Sequence, residues 1–368
     1  MKTTPEVWMK VGAFTFFTGL IAAAMLFFTP SVSEAQEDSH ASILLYHHVS
    51  DRTPRVTSVT ADELREHLTY LRDNNFTVVD IRDAIAAMQG EKSLPEKSVV
   101  ITFDDAYQNI YTNGWPVLKE FGVPWTLFVT TDPVGETPGQ YMSWQQIRDL
   151  HEDGVVIANH SLDHAHMPRR ADFESEDAWL ARARENILAA EAKIKEEVGV
   201  SYQLFAYPYG EYDNILADLV AELGFIGFGQ HSGGFSKHSD FRAIPRFAAA
   251  GIYANLRTLG TKMAALGMPV VETHITDTML AHEETQPVLK LTLDTSDIRR
   301  HQLNCFIRSQ PHAPEWHDEQ TFSVQAEEPI GIGRQRYNCT APSISKPGRF
   351  YWYSVQWIRP DENGSWPD

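Results

Sequence analysis

The segment Val99-Val-Ile-Thr-Phe-Asp-Asp-Ala-Tyr107 joins a continuous apolar run to two adjacent carboxylates, Asp104 and Asp105. An apolar run without polar alternation predicts a strand that is buried on both faces, as in a parallel sheet. A carboxylate at the end of a buried strand needs a compensating partner, and a metal ion is one such partner. The alternative is that one of the two carboxylates caps the helix that follows.

Short apolar runs of the same kind alternate with helical patterns from about residue 42 to residue 265. The predicted strands are 43–46, 99–103, 125–130, 155–158, 204–207 and 225–228. Helix signals lie between them, including a capping box formed by Thr60 and Glu63 and an amphipathic segment, 175–198, that ends before Gly199. Alternating β and α units predict a parallel α/β barrel or a doubly wound sheet.

The pattern changes after about residue 270, where short alternating segments are separated by Pro, Gly and Asp. These segments are 288–293, 304–307, 321–324 and 350–357. They predict a small antiparallel β-rich module over residues 269–368. Tyr351, Trp352, Tyr353 and Trp357 suit either the core of this module or a face that binds sugar rings.

Residues 1–35 have the features of an export signal. An almost entirely apolar run, 11–28, follows Lys2 and Lys10, and small residues precede the expected cleavage site after Ala35. We therefore expect a periplasmic or secreted protein with no membrane span after cleavage. The alternative is that the apolar run is kept as a membrane anchor.

The two cysteines, Cys305 and Cys339, both lie in the predicted C-terminal module. Secreted proteins seldom keep unpaired cysteines, so export predicts one disulfide that joins these positions. Two buried free thiols are the alternative.

The 368-residue chain carries 31 Lys and Arg against 49 Asp and Glu, which gives a formal net charge of −18. Binding of DNA or RNA needs clustered cations that neutralise phosphates, so this balance excludes a nucleic-acid partner. Hydrophobic residues make up 43% of the chain, which is enough for a globular core.

A second polar stretch, Asn159-His160-Ser-Leu-Asp-His164, follows the apolar run 155–158. Two histidines four positions apart on a helical turn project from one face, as a zinc site requires. An exposed polar helix start is the alternative.

A third stretch, Phe205-Ala-Tyr-Pro-Tyr-Gly-Glu-Tyr-Asp213, contains Pro208 and Gly210, which predict a tight irregular turn after a strand. Such a turn can direct backbone N–H groups at a developing oxyanion, or it can be no more than a loop. Parallel α/β enzymes place their catalytic groups at the carboxyl ends of the strands. One Asp and two His from separate strand ends would form an open zinc site, with the neighbouring Asp as general base.

Taken in this order, Thr102-Phe-Asp-Asp105, His160-Ser-x-x-His164 and Tyr207-Pro-Tyr-Gly210 resemble the polysaccharide deacetylase family (carbohydrate esterase family 4, the NodB-like domain). The resemblance spans roughly residues 42–250 and implies a distorted (β/α)₇ barrel as the catalytic domain, over residues 36–268. It also implies a hydrolase that removes acetyl groups from an acetylated amino-sugar polysaccharide.

The resemblance carries roles to individual positions of this chain. Asp105, His160 and His164 would bind Zn²⁺ or another divalent metal, and Asp104 would be the general base. The backbone N–H of Tyr209 would stabilise the tetrahedral oxyanion.

The family also needs a general-acid histidine, often within a Leu-x-His stretch late in the domain. The late candidate here is His274, in Glu-Thr-His, whereas Leu45-Tyr-His47 matches the stretch near the start of the domain. This order resembles the permuted deacetylases of exopolysaccharides such as poly-β-1,6-N-acetylglucosamine. His47 is therefore the expected acid, with His48 as the second choice.

The chain departs from the family pattern at two positions. Ala206 stands where many members have an Arg that pairs with the catalytic Asp, and Ala106 stands where a Gly is usual. Arg246, in Ile-Pro-Arg-Phe, is the candidate to supply the missing guanidinium. Because of these departures, a non-catalytic glycan-binding or export protein on a degenerate barrel stays open as the alternative function.

Overall fold

The structure is a computed structural model, and it describes residues 38–367. The predicted export signal, residues 1–35, lies outside the described residues. Within 38–367, no helix combines the length and the apolar character needed to cross a membrane.

Strands and helices alternate through the first part of the described chain. The strands are β1 (His40–Tyr46), β2 (His48–Val49), β3 (Ser58–Val59), β4 (Thr77–Val78), β5 (Ser98–Asp104), β6 (Thr126–Val129), β7 (Val156–Asn159), β8 (Leu204–Ala206), β9 (Ile226–Phe228), β10 (Phe235–Ser236), β11 (Phe247–Ala248) and β12 (Leu266–Gly267). The α-helices are α1 (Ala61–Asp73), α2 (Ile81–Met88), α3 (Trp115–Phe121), α4 (Trp144–Glu152), α5 (Glu176–Val198), α6 (Asn214–Glu222) and α7 (Leu256–Met263).

The central sheet has the strand order β10-β1-β5-β6-β7-β8-β9, with β4 beside β5 and β11 beside β1. Its pairings are parallel apart from the antiparallel pair of β1 and β10. Phe228 in β9 also bridges Ile244, shortly before β11, so the chain leads from the last strand back to the first. These pairings curl the sheet towards a closed barrel. The predicted α/β class with a distorted barrel is confirmed.

Helix ends follow the sequence signals. Thr60 and Glu63 form the predicted capping box of α1, because each side chain accepts a hydrogen bond from the other residue's backbone N–H. Ser175 caps α5, and Gly199 ends it in the left-handed conformation, with φ at 85°.

Alternate residues of β5 pack into different apolar clusters, as the period of two in a strand requires. Val100 lies in one cluster with Ile43 and Phe128 from neighbouring strands. Ile101 and Phe103 lie in the other cluster, together with residues of the surrounding helices. Asp104 has the same parity as Val100, so its carboxylate lies on the inner side of the curled sheet.

The remaining strands form the C-terminal module, whose antiparallel β structure is confirmed. They are β13 (Val270–Thr273), β14 (Val288–Leu293), β15 (Asn304–Ile307), β16 (Gln310–His312), β17 (Glu315–Trp316), β18 (Thr321–Gln325), β19 (Gly333–Pro342) and β20 (Phe350–Arg359). One sheet has the order β12-β20-β19-β15-β16 and the other the order β13-β14-β18-β17. Apolar residues of the two sheets share one core.

Most of the aromatic side chains in β20 have packing roles. Tyr351 and Trp357 are buried in the core of the module, and Tyr353 packs against it. The ring of Trp352 faces the other way and meets the ring of Phe247 of the barrel edge to face, at 5.3 Å between centroids. The described contacts thus favour the core interpretation over a sugar-binding face.

The predicted disulfide is present and joins Cys305 in β15 to Cys339 in β19, which are directly paired across the two strands. The module is also joined to the barrel, because β12 pairs with β20. The described residues, 38–367, form one compact unit. The boundary between residues 36–268 and 269–368 therefore stays a prediction.

Candidate active site

Asp104 ends β5 and its carboxylate is held by Arg246. The two Oδ atoms of Asp104 accept hydrogen bonds from Nη1 and Nη2 of Arg246 at 2.7 and 2.8 Å. Both side chains are fully buried. The two parallel bonds fix the orientation of the carboxylate as well as its charge.

The guanidinium of Arg246 also contacts a backbone carbonyl and an aromatic ring. Its Nε donates to the carbonyl of Gly229 at 2.9 Å, and its central carbon lies 5.2 Å from the ring centroid of Phe128. Burial by itself raises the pKa of Asp104, but the charge of Arg246, with help from His160, outweighs burial and lowers that pKa. Asp104 is therefore an ionised carboxylate inside the barrel.

Asp105, His160 and His164 bring three ligand atoms together. Oδ1 of Asp105 lies 3.3 Å from Nε2 of His160 and 3.3 Å from Nε2 of His164. One ligand atom from each of the three residues lies within 4.8 Å of the other two. Asp104 is next to this cluster, with Oδ2 at 3.8 Å from Nε2 of His160.

The protonation pattern of His160 suits a metal ligand. Its Nδ1 donates to the carbonyl of Ala206 at 2.7 Å, which leaves Nε2 facing Asp105. Both Nε2 of His160 and Oδ1 of Asp105 are buried and make no hydrogen bond with any residue in the described range. A carboxylate oxygen with two imidazole nitrogens is a common donor set for a divalent metal, so these residues fit one.

The electrostatics of the cluster favour a cation. Burial lowers the pKa of His160, but Asp104 and Asp105 outweigh it and raise that pKa. Burial, together with the charge of His160, lowers the pKa of His164 to about 4. The two carboxylates create a negative potential that draws His160 towards protonation, whereas burial and the charge of His160 keep His164 neutral.

The turn that carries the two histidines is not helical, so the expected helical turn is wrong. Oδ1 of Asn159 accepts a hydrogen bond from the N–H of Ser161, and Oγ of Ser161 accepts one from the N–H of His164. Such side-chain acceptors compete with helix formation. Ser161 and His164 both have positive φ values, 72° and 56°, and this irregular turn directs the two imidazoles at Asp105.

The backbone after β5 is also irregular. Asp105 and Ala106 have φ values of 75° and 63°, in the left-handed region that glycine adopts most easily. This conformation explains why the family favours Gly at the position of Ala106. It turns the chain sharply, so that Asp104 faces the barrel interior while Asp105 faces the two histidines.

Tyr209 lies in the turn after β8, beside one of the histidines. Its φ is 57°, and its ring centroid lies 4.5 Å from that of His164. The next residue, Gly210, has a φ of 68°, and a Cβ at this position would lie 2.6 Å from the backbone nitrogen of Gln230. Glycine is therefore required, and the predicted tight turn is present.

The three candidate acids occupy different places. His47 directly follows β1 and Asp104 ends β5, and these strands are parallel with Tyr46 opposite Phe103, so His47 lies at the same edge of the sheet as Asp104. The charge of His47 also contributes to the lowered pKa values of Asp104 and Asp105. His48 instead stacks on Tyr107 at 3.7 Å and accepts a hydrogen bond from Asn109. His274 directly follows β13 of the C-terminal module, where Nε2 is hydrogen-bonded to Oγ1 of Thr292, and it is not part of the cluster.

Sequence reasoning missed two residues that support the third motif. Glu211 is fully buried, and its Oε2 accepts a hydrogen bond from Nδ1 of His166 at 2.7 Å. The ring of His166 is stacked on that of Tyr209 at 3.9 Å. A charged residue directly after an apolar, aromatic motif is the signal that could have identified Glu211.

Comparisons with known proteins agree with the motifs. Residues 91–227 match the family model described as polysaccharide deacetylase. The poly-β-1,6-N-acetyl-D-glucosamine N-deacetylase of Escherichia coli (strain K12) is 28% identical over 244 residues, which are 56% of this chain and 36% of that protein. The protein of the same name from Staphylococcus epidermidis is 25% identical over 229 residues, which are 57% of this chain and 79% of that protein.

Among solved structures, IcaB from Ammonifex degensii superposes with a TM-score of 0.54 at 26% identity, over 62% of this chain and 98% of that chain. The chain thus spans about a third of the E. coli relative but nearly all of this structure. The resemblance to the polysaccharide deacetylases that the three motifs indicated is confirmed.

Proposed function

The chain is a relative of the polysaccharide deacetylases, and from that premise we propose that it is a metal-dependent hydrolase that removes N-acetyl groups from an acetylated amino-sugar polysaccharide. The observation that carries the proposal is the group of ligand atoms from Asp105, His160 and His164 beside the ionised carboxylate of Asp104. This set contains both a metal site and a separate base, which the reaction requires.

We assign the metal site to Asp105, His160 and His164. A divalent metal such as Zn²⁺, when bound there, supplies Lewis acidity towards the acetyl carbonyl and lowers the pKa of a water molecule. The three residues come from two strand ends and leave the rest of the coordination sphere to water or substrate, as in other catalytic sites.

We assign the role of general base to Asp104. Its ion pair with Arg246 keeps the carboxylate ionised and in one orientation, so that it can take a proton from the attacking water. Arg246 is then the positioning residue that replaces the arginine missing at Ala206.

The remaining roles concern the leaving group and the oxyanion. We propose that His47 donates a proton to the departing amine, which would otherwise be a very poor leaving group. The backbone N–H of Tyr209 would donate to the oxyanion of the tetrahedral intermediate, since its turn lies against His164. The products would be acetate and a free amino sugar.

For the substrate we propose poly-β-1,6-N-acetylglucosamine, after the names of the bacterial relatives. We also propose that the protein acts outside the cytoplasm, in the periplasm or as a secreted protein. The disulfide between Cys305 and Cys339 supports an oxidising compartment.

A screen for acetate release tests the proposal. The Zn²⁺-loaded protein would be incubated with β-1,6-linked, chitin and peptidoglycan oligomers, with Asp105→Ala as the matched inactive control. We expect release to be fastest from the β-1,6-linked oligomers. Binding of an oligomer without acetate release from any of them would favour a non-catalytic glycan-binding protein instead.

A further inference from the structure

Glu211 connects the C-terminal module to the turn that contains Tyr209. Its carboxylate is fully buried, although it lies on an irregular segment directly after Gly210. A buried carboxylate is stable only where an ion pair or several hydrogen bonds compensate for its lost hydration. The origin of its partners therefore decides what holds this segment in place.

Two of those partners come from the C-terminal module. Nε1 of Trp366 donates to Oε1 of Glu211 at 2.7 Å, and Nη1 of Arg334 lies 3.4 Å from the same oxygen. The third partner is His166 of the barrel, which donates to Oε2. Trp366 is also hydrogen-bonded to the barrel, since its backbone carbonyl accepts a hydrogen bond from Arg169.

The same groups surround the ring of Tyr209. His166 is stacked on this ring with an angle of 2° between the planes, and the guanidinium carbon of Arg334 lies 5.5 Å from its centroid. The carboxylate of Glu211 thus joins His166 and Arg334, two of the side chains that contact the Tyr209 ring.

The module also holds the main chain of the turn. Nε2 of Gln356 donates to the carbonyl of Gly210 at 3.0 Å in a buried contact, and Oγ1 of Thr278 donates to the carbonyl of Tyr212 at 2.6 Å. A non-glycine residue with positive φ, such as Tyr209, is strained and persists only where its surroundings enforce that conformation. Here the enforcing contacts come largely from the module.

From these contacts we infer that the C-terminal module is a positioning element of the active site, which acts through Glu211 to hold the Tyr209 turn in its strained conformation. Glu211, Trp366 and Arg334 are positioning residues, because they contact Tyr209 or its neighbours and not the metal ligands. The catalytic consequence rests on the proposed function, since it assumes that the Tyr209 N–H stabilises an oxyanion.

Trp366→Phe is the variant that tests the inference, because it removes the Nε1 donor and keeps an aromatic ring. Trp316→Phe is the matched control: Trp316 lies in β17, in the sheet of the module that does not pair with β12. We expect amide hydrogen exchange of residues 207–212 to accelerate in Trp366→Phe and to stay unchanged in Trp316→Phe. We also expect kcat to fall about tenfold with KM within about twofold, because the lost contact acts on the transition state.

Glu211→Gln provides a second variant, because the amide oxygen can accept only one of the two short hydrogen bonds that the carboxylate accepts. Amide exchange of residues 207–212 should therefore accelerate in this variant as well. Exchange and kcat in Trp366→Phe equal to those of Trp316→Phe would overturn the inference. Accelerated exchange with an unchanged kcat would also overturn it, because the turn would then move without effect on catalysis. Accelerated exchange in a chain whose wild type releases no acetate would instead refute the proposed function and leave the structural link in place.

Discussion

Asp104 and Arg246 are 142 positions apart in the chain, yet their side chains form two parallel hydrogen bonds in the barrel interior. Neither residue is exposed to solvent. The pair supplies what the third motif lacks, since Ala206 stands where many deacetylases have an arginine. Its position, next to a three-residue ligand cluster, makes Asp104 the best base candidate among the described residues.

Asp104→Asn should abolish acetate release while metal binding is kept. The amide has nearly the same shape as the carboxylate but cannot take a proton from water, whereas Asp105, His160 and His164 are unchanged. Metal content by elemental analysis and acetate release would be measured on the same sample, after circular dichroism confirms folding. Acetate release by Asp104→Asn at the rate of the wild type would refute the assignment of Asp104 as general base.

Arg246→Met should destabilise the fold by about 3–5 kcal/mol, because it leaves the carboxylate of Asp104 buried without its partner. The double variant Asp104→Asn with Arg246→Met should lose less than the sum of the two single variants, since no unpaired buried charge remains. Denaturant unfolding of the four proteins gives the coupling energy. Strict additivity would show that the ion pair does not stabilise the folded chain.

Replacement of Cys305 and Cys339 by Ser should lower the free energy of unfolding by about 2–4 kcal/mol, because the closed loop no longer restricts the unfolded chain. The disulfide lies within the C-terminal module, so metal binding should be unaffected where the chain is folded. Denaturant unfolding and a Zn²⁺ titration would be compared with the wild type. Loss of metal from the folded variant would show that the disulfide and the metal site are not independent.

Stability should decrease between pH 6.5 and pH 4 in part because of His40. Burial, with a contribution from the positive charge of Arg349, lowers the pKa of His40 to about 4. The folded state therefore favours the neutral imidazole, whose Nδ1 accepts a hydrogen bond from the N–H of Gly267. The stabilising contribution is complete above pH 6.5 and is lost as the pH falls towards 4, by up to roughly 3 kcal/mol.

His40→Asn keeps a hydrogen-bond acceptor but removes this titration. The slope of unfolding free energy against pH, measured between pH 4 and 6.5, should therefore be shallower in the variant. Identical slopes in the two proteins would rule out His40 as a contributor.

Much of the barrel could be predicted from the sequence because its signals are local. The apolar run before Asp104 indicates a buried strand by composition alone, and the capping box at Thr60 and Glu63 fixes the start of α1 within its own turn. The segments predicted for the C-terminal module also coincide closely with strands such as Val288–Leu293 and Asn304–Ile307.

The parts that could not be predicted depend on contacts between distant residues or on competition within a turn. The turn that carries His160 and His164 does not form the expected helix, because the side chains of Asn159 and Ser161 accept hydrogen bonds from the nearby backbone. The burial of Glu211 depends on Trp366, 155 positions away, and no local pattern indicates that partner. Arg246 was predictable only as a candidate at a late strand end.

The central claim is that a metal held by Asp105, His160 and His164 is needed for deacetylation. The most direct measurement is a Zn²⁺ titration of metal-stripped protein, with acetate release from a β-1,6-linked N-acetylglucosamine oligomer followed in the same samples. We predict that release rises with added Zn²⁺ until one ion is bound per chain, and that Asp105→Ala releases no acetate at any Zn²⁺ concentration. Full release by the metal-stripped wild type, or by Asp105→Ala, would contradict this mechanism.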